Sequence, residues 1–299
     1  MSFSSDIKNE LANTDGISQC CYHAQVYGLV LFAHFKASDF SIKTENADVY
    51  NLYCDSITNY LGCSLIKKNG GSKMMIAGIE NKKDIEKAFD KFGHSMRDTA
   101  VRINHANLQN ECCISAFLRG AFLSCGSVSD PGSNYHLEFV VPYKKLSQDL
   151  MRVLSELSLN PKYIQRKGNH VIYFKDSENI EDLLAYMGAQ NASLYLMNVK
   201  IEKDVINNVN RKLNFELYNI GKSSLAADNQ IKAINYILDN ADIHILPDNL
   251  RSIAMLRLEN PEASLSQLQS LSEEEISKSG IKHRLDKIVQ ISDELKEKK

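Results

Sequence analysis

Two stretches of the chain, 92 residues apart, carry one pattern: CCYHAQVYGLVLFAHF from Cys20 and CCISAFLRGAFLSCGS from Cys112. With no gap, Cys20 coincides with Cys112, Cys21 with Cys113, Ala24 with Ala116, Gly28 with Gly120, and Leu31 with Leu123. A repeat of this kind points to a duplicated subdomain, and it sets how the other residues are read.

The signals after each Cys-Cys element recur in the same order. In the first copy, alternation in DFSIKTE predicts a strand. Val49, Leu52, Tyr53, Ile57 and Tyr60 then fall at helical spacing between Ala47 and Leu61. CSLIKK and KMMIAGI read as a hairpin turning at Asn69-Gly70-Gly71, and a helix over about 82–92 stops at Gly93. The second copy runs through the strand HLEFVV, a helix over about 143–157, a hairpin over 162–174 turning at Gly168-Asn169, and a helix over about 179–187 before Gly188. Ile85, Phe89, Phe92 and Gly93 correspond to Ile180, Leu184, Met187 and Gly188 at an offset of 95, so loop lengths differ while the order does not. Each copy is therefore an α+β unit of order αββαββα with an antiparallel sheet. Ala24 with Gly28, and Ala116, Gly120 and Ser124, make smooth stripes that let two helix backbones approach closely across a pseudo-twofold axis.

A formal net charge of -2 excludes a global basic field, so any nucleic-acid binding must rest on a local patch. The acidic N-terminus and the lack of a long apolar run predict neither signal peptide nor membrane span. Seven cysteines, four of them in adjacent pairs, suit a reducing cytoplasm. Cys20, Cys21, His23, Cys112, Cys113 and Cys125 offer ligands for zinc, but adjacent cysteines lack the C-x2-C spacing of common zinc sites. The expectation is small buried hydrophobes, with no metal and no cofactor.

FLRGAFLSCGSVSDP resembles the LAGLIDADG helix of homing endonucleases. With NRKLNFELYNIGKSSLAADNQ and PEASLSQLQSLSEEEISKSGIKHRLDKI, nearly the full length resembles the WhiA family of bacterial proteins. That resemblance implies a LAGLIDADG-like domain followed by a helix-turn-helix domain. It also implies a role in transcription regulation, cell division or chromosome segregation. In the endonucleases an acid at the end of each LAGLIDADG helix binds the catalytic metal ions. Alignment on the glycines puts Ala33 and Cys125 there, neither an oxygen ligand, while Asp39 and Asp130 lie beyond the helix ends. The expectation is a scaffold without catalytic residues.

The hairpins carry Lys67, Lys68 and Lys73 in one copy and Lys162, Arg166 and Lys167 in the other. They read either as phosphate contacts or as lysine-protected sheet edges. Residues 195–209 predict a helix leading out of the repeat. The asparagine-rich stretch after it carries Arg211 and Lys212, which serve either phosphate or helix caps and loops.

Leu225, Ile231, Ile234 and Leu238 predict a helix, and Pro247 opens another that Pro261 stops. Ser264 and Gln267 form a capping box for a short helix to Leu271, and Ser277 caps the last helix. There Ile281, Leu285, Ile288 and Leu295 make the core stripe, while Ser279, His283 and Lys287 form a ladder opposite. Between Ile276 and Lys287, Lys278, Lys282, Arg284 and Lys287 stand against Asp286 alone. The ladder is expected near base edges, with Ser277, Lys278, Lys282 and Arg284 mainly on phosphates.

The resulting organisation is a LAGLIDADG-like first half over 1–105, a second half over 106–194, a linker helix and polar connector over 195–219, and a helix-turn-helix domain over 220–299 with its motif at about 264–297. The expected protein is a non-enzymatic, cytoplasmic, nucleoid-associated binder of double-stranded DNA, with regulatory proteins as further partners. A divergent metal-dependent endonuclease and an interaction scaffold for a protein or small ligand are the alternatives.

Overall fold

The computed structural model describes residues 2–297 apart from 37, 72 and 242. It divides into two units, through Asp204 and from Val205 onward.

The first unit is a mixed helix-and-sheet domain in which the duplication is visible as topology. Its first copy runs α2 (Gln19–Leu31), β1 (His34–Lys36), β2 (Asp39–Thr44), α3 (Ala47–Asp55), β3 (Ile66–Asn69), β4 (Met75–Ile79) and α4 (Lys82–Lys91), preceded by α1 (Phe3–Ala12). The second runs α5 (Glu111–Cys125), β5 (Gly126–Val128), β6 (Leu137–Val141), α6 (Lys144–Glu156), β7 (Lys162–Arg166), β8 (Asn169–Phe174) and α7 (Ser177–Met187). Both sheets are antiparallel with equivalent orders, β1-β2-β4-β3 and β5-β6-β8-β7, so each hairpin's first strand lies at an edge.

The two glycine-bearing helices lie against each other at the centre. A Cβ on Gly28 would come within 2.2 Å of the Phe117 carbonyl oxygen, and one on Gly120 within 2.1 Å of the Gln25 carbonyl oxygen. The contact is reciprocal, as a twofold relation requires. The Cys21 thiol faces the Cys112 carbonyl at 3.5 Å near the N-terminal ends, and the Ser124 hydroxyl donates to the Leu29 carbonyl near the C-terminal ends. The helices therefore run in the same sense. Phe117, Phe122, Tyr27, Leu29 and Val30 are buried around this seam.

Two local expectations need correction, and one segment without an expectation is ordered. The second hairpin turns at Lys167-Gly168, both at positive φ (50° and 83°), with Arg166 paired to Asn169. A two-residue turn of this hand matches strand twist best, and Gly168 supplies one of the two left-handed positions. The acidic N-terminal segment, for which the sequence carried no structural expectation, is a helix: Ser2 caps it and Ile7 and Leu11 are fully buried. Finally, α8 runs without interruption over Gln190–Asn240, so the polar connector is helical. It contains no proline and only Gly221, and exposed asparagines lower helix propensity by well under about 1 kcal/mol each.

The second unit consists of the later part of α8 with α9 (Asp248–Glu259), α10 (Leu265–Leu271) and α11 (Lys278–Glu297). Its core joins Ile234, Ile237, Leu246, Leu250, Ile253, Ala254 and Leu268 to Ile281, Leu285 and Ile288. Leu225 and Leu238, expected in the stripe of α8, are exposed; Ala227, Gln230, Ala233 and Ile237 are buried instead.

Gly28→Ala or Gly120→Ala must push two helix backbones apart. Each is expected to destabilise the first unit by about 3 kcal/mol or more, read as a lower denaturant midpoint, whereas Gly221→Ala, with open space around it, leaves the midpoint unchanged or raised.

Candidate nucleic-acid interface

The surface of α11 follows from how it is capped and which stripe is buried. The Ser277 hydroxyl accepts from the Gly280 amide at 3.2 Å and lies 3.0 Å from the Ser279 hydroxyl. Ile281, Leu285, Ile288 and Ser292 face the core at three- and four-residue spacing, which turns the opposite face outward. Ser277, Lys278, Ser279, Lys282, His283 and Lys287 are all exposed there, as is Asp286. Lys287 donates to Gln290 at 3.2 Å. The short helix in front is set by the reciprocal capping box, Ser264 amide to Gln267 Oε1 at 2.7 Å and Gln267 amide to Ser264 Oγ at 3.3 Å. Behind it the buried Arg257 donates to the Ala263 carbonyl at 2.6 Å and so holds the turn leading into α10.

Arg284, expected on phosphates, is paired within the unit. Its guanidinium donates to Glu274 Oε2 at 2.6 Å and to the Asn249 carbonyl at 3.1 Å. Ser252 donates to the other Glu274 oxygen at 3.3 Å. Arg284 thus ties α11 to the start of α9 and to the segment between α10 and α11. Its hydrogen bond holds the Glu274 carboxyl below the usual carboxylate range. Glu274 was missed because it lies ten residues from Arg284, outside any helical pairing; only the acidic run Glu273-Glu274-Glu275 before the helix signalled it.

The cations of the first unit are exposed but partly committed. Lys68 is ion-paired with Glu80, Arg166 lies 3.5 Å from Glu138, and the Lys67 ammonium sits 6.0 Å from the centre of the Tyr50 ring. Lys73, Lys162 and Lys167 are exposed, and every residue of β7 faces solvent. Arg211 and Lys212 are exposed on α8.

At the C-terminal ends of the paired helices, Cys125 is the last residue of α5 and Ala33 stands two residues past α2. Burial pushes the Cys125 thiol up to about 12, so it is neutral near pH 7, and the charge acting on it is the Lys8 ammonium. Asp130 is taken up by its own turn, accepting from the Gly132 amide at 2.7 Å. Asp39 opposes Lys36 in the β1–β2 register.

Sulfur gathers at the other end of the same helices. Among the described residues, Cys20, Cys21, Cys112 and Cys113 bring all four Sγ atoms within 4.8 Å of one another. Neither adjacent pair has the C-x2-C spacing, but the set is assembled across two helices. Cys112 is exposed and Cys20 half-buried, so these two are not the buried hydrophobes expected. The Ser18 hydroxyl, 3.2 Å away, brings the Cys20 thiol down to about 7, and Cys21 pushes Cys112 up to about 12. His23 stays outside the set, held by Tyr60 at 2.6 Å and Asn107 at 2.8 Å.

A duplicated LAGLIDADG-type domain followed by a helical unit with a capped, cation-bearing last helix defines the class of protein. Residues 114–206 match the family model described as the WhiA LAGLIDADG-like domain, and residues 209–292 match that of the WhiA C-terminal HTH domain. The chain belongs to the WhiA family. It is 37% identical to a protein of Alkaliphilus metalliredigens (strain QYMF) named "Probable cell division protein WhiA", over 98% of each chain. A protein of the same name from Clostridium botulinum is 36% identical over 99% of each chain. The crystal structure of full-length DUF199/WhiA from Thermatoga maritima has the same fold, with a TM-score of 0.58 at 24% identity, over 98% of this chain and 99% of that one. Among the described residues no helix is long and apolar enough to cross a membrane.

Because the folded pKa of Glu274 lies below its unfolded value, its pairing with Arg284 stabilises the fold fully above the ordinary carboxylate range. That contribution is lost as pH falls through the folded value. Arg284→Ala is expected to lower the unfolding midpoint at pH 7 and to leave a smaller difference from wild type at pH 3, measured by circular dichroism; Lys282→Ala lowers it at neither pH.

Proposed function

We propose that the chain binds double-stranded DNA in a sequence-dependent manner through α11 and performs no chemistry on it. Its role is then in transcription regulation or in chromosome segregation and cell division, within the cytoplasm at the nucleoid. One observation carries this reading: the buried stripe Ile281, Leu285 and Ile288 holds Lys278, Ser279, Lys282, His283 and Lys287 outward on a single helix preceded by a short capped one. A helix of this kind enters the major groove with its N-terminal residues against base edges, while the preceding helix props it. Ser279 and His283, on consecutive turns, then read bases. Lys287, the next residue of that ladder, also lies near base edges, and Ser277, Lys278 and Lys282 meet phosphates. Arg284 supports the surface from behind instead of touching DNA.

The lack of an oxygen ligand at Ala33 and Cys125, with Lys8 acting on the latter, supports a scaffold that does not cleave. Secondary contacts by Lys73, Lys162, Lys167, Arg211 and Lys212 would add to affinity without adding sequence information.

Fluorescence anisotropy with labelled duplexes tests the reading. Lys278→Ala and Lys282→Ala should each flatten the dependence of log affinity on log salt by about one unit. His283→Ala should reduce discrimination between target and random duplex by about tenfold and leave the salt slope alone. Salt slopes identical to wild type in a Lys278→Ala, Lys282→Ala double variant would remove α11 as the DNA-facing helix. Supercoiled plasmid incubated with magnesium or manganese is expected to stay intact; nicking abolished by Asp130→Asn would show an endonuclease.

A further inference from the structure

We propose that Cys20, Cys21, Cys112 and Cys113 form a tetrathiolate site for one zinc ion that ties the two halves of the duplicated domain together. The site is built by the repeat itself. Ser18 caps α2, so Cys20 and Cys21 are its second and third residues; Asn110 stands at the cap position of α5, so Cys112 and Cys113 hold the same two places there. The glycine contacts set the distance between the helices, and the shared direction of the helices brings both N-terminal turns together. Each half contributes two sulfurs, and neither half holds a site alone.

The geometry suits a single ion. Zinc–sulfur bonds of about 2.3 Å place the four sulfurs of a tetrahedron about 3.8 Å apart. All four Sγ atoms here already lie within 4.8 Å of one another, so small side-chain rotations close the set. A polynuclear iron–sulfur cluster puts several irons and sulfides between its thiolates and needs them spread more widely. Four soft thiolates in a tetrahedron select zinc among the common divalent ions, and a fully occupied coordination shell is that of a structural site.

The surroundings fit a charged centre. Two helix N-termini direct positive potential at the sulfurs. The buried Arg119 guanidinium, fixed by the Met187 carbonyl at 2.7 Å and Gln25 Oε1 at 3.2 Å, interacts electrostatically with Cys21. Entry is open, because Cys112 faces solvent and Cys20 and Cys113 line a pocket of about 340 Å³ with His23, Tyr60 and Asn107. Binding replaces thiol protons by the ion, and those protons leave to solvent. No electron is transferred.

The test uses the full chain, purified anaerobically with a thiol reductant and titrated with cobalt(II) alone and then zinc. One equivalent of cobalt is expected to give the thiolate-to-metal charge-transfer band and the intense visible bands of tetrahedral tetrathiolate cobalt, with zinc displacing it one for one. Thermal unfolding of the first unit should shift upward with zinc. A Cys20→Ser, Cys112→Ser variant should lose the bands while keeping its circular dichroism, and Cys54→Ser should keep both. Cys112→Ser alone, at an exposed position, should weaken cobalt binding at least tenfold, which preserves the test should the double variant fail to fold. Absence of the bands in the reduced wild type, unchanged binding in Cys112→Ser, or recovery of these cysteines as disulfides from acid-quenched, alkylated cells would each overturn the site.

Discussion

The first unit depends on one contact, the approach of two helix backbones at Gly28 and Gly120. A methyl group at either position would lie about 2 Å from a carbonyl oxygen of the other helix, so no other residue permits this seam. From that approach follow the burial of Tyr27, Phe117 and Phe122 beside it and the equivalent placing of the two sheets. The pairing of like ends follows as well. At the C-terminal ends stand Cys125 and, just past α2, Ala33; at the N-terminal ends, four sulfurs meet. One packing constraint therefore supports two different chemical environments, at opposite ends of the same helix pair.

The second unit relies on a different economy of residues. Capping at Ser264 and Ser277 starts two helices with little sequence between them, and an apolar stripe every three or four residues turns α11 so that its cations face outward. Arg284 then separates from its neighbours. It shares their charge and their helix, but Glu274 and the Asn249 carbonyl draw it into the support of the surface. A basic side chain beside a carboxylate at 2.6 Å is already neutralised locally, and phosphate binding would have to break that pair.

Much of this was legible in the residues because it is periodic or local. The αββαββα order, the Ser264–Gln267 box, the Ile281, Leu285 and Ile288 stripe and the smooth glycine faces are all properties of short windows. The readings that changed involved residues distant in sequence or a balance between weak tendencies. Helix α8 continues through the asparagine-rich stretch because no residue stops it. In its second-unit part the buried positions are Ala227, Gln230 and Ile237, while Leu225 and Leu238 are exposed, because which face of a helix is buried depends on the elements packed against it. Ile7 and Leu11 of α1 are two apolar residues in an acidic segment and carry little signal until a core receives them.

By itself, the sequence determined the duplication, the helix pair and the helical C-terminal unit with an outward cationic face. Those follow from spacing along one chain, where each residue's direction is set by the helix or strand it belongs to. Only the tertiary structure decided which charges are engaged and which ligands assemble. Arg284 is separated from Glu274 by ten residues and Cys20 from Cys112 by 92, and no periodicity relates such pairs. Their meeting depends on how closely two elements pack, which for the cysteines is set by the absence of a side chain at Gly28 and Gly120.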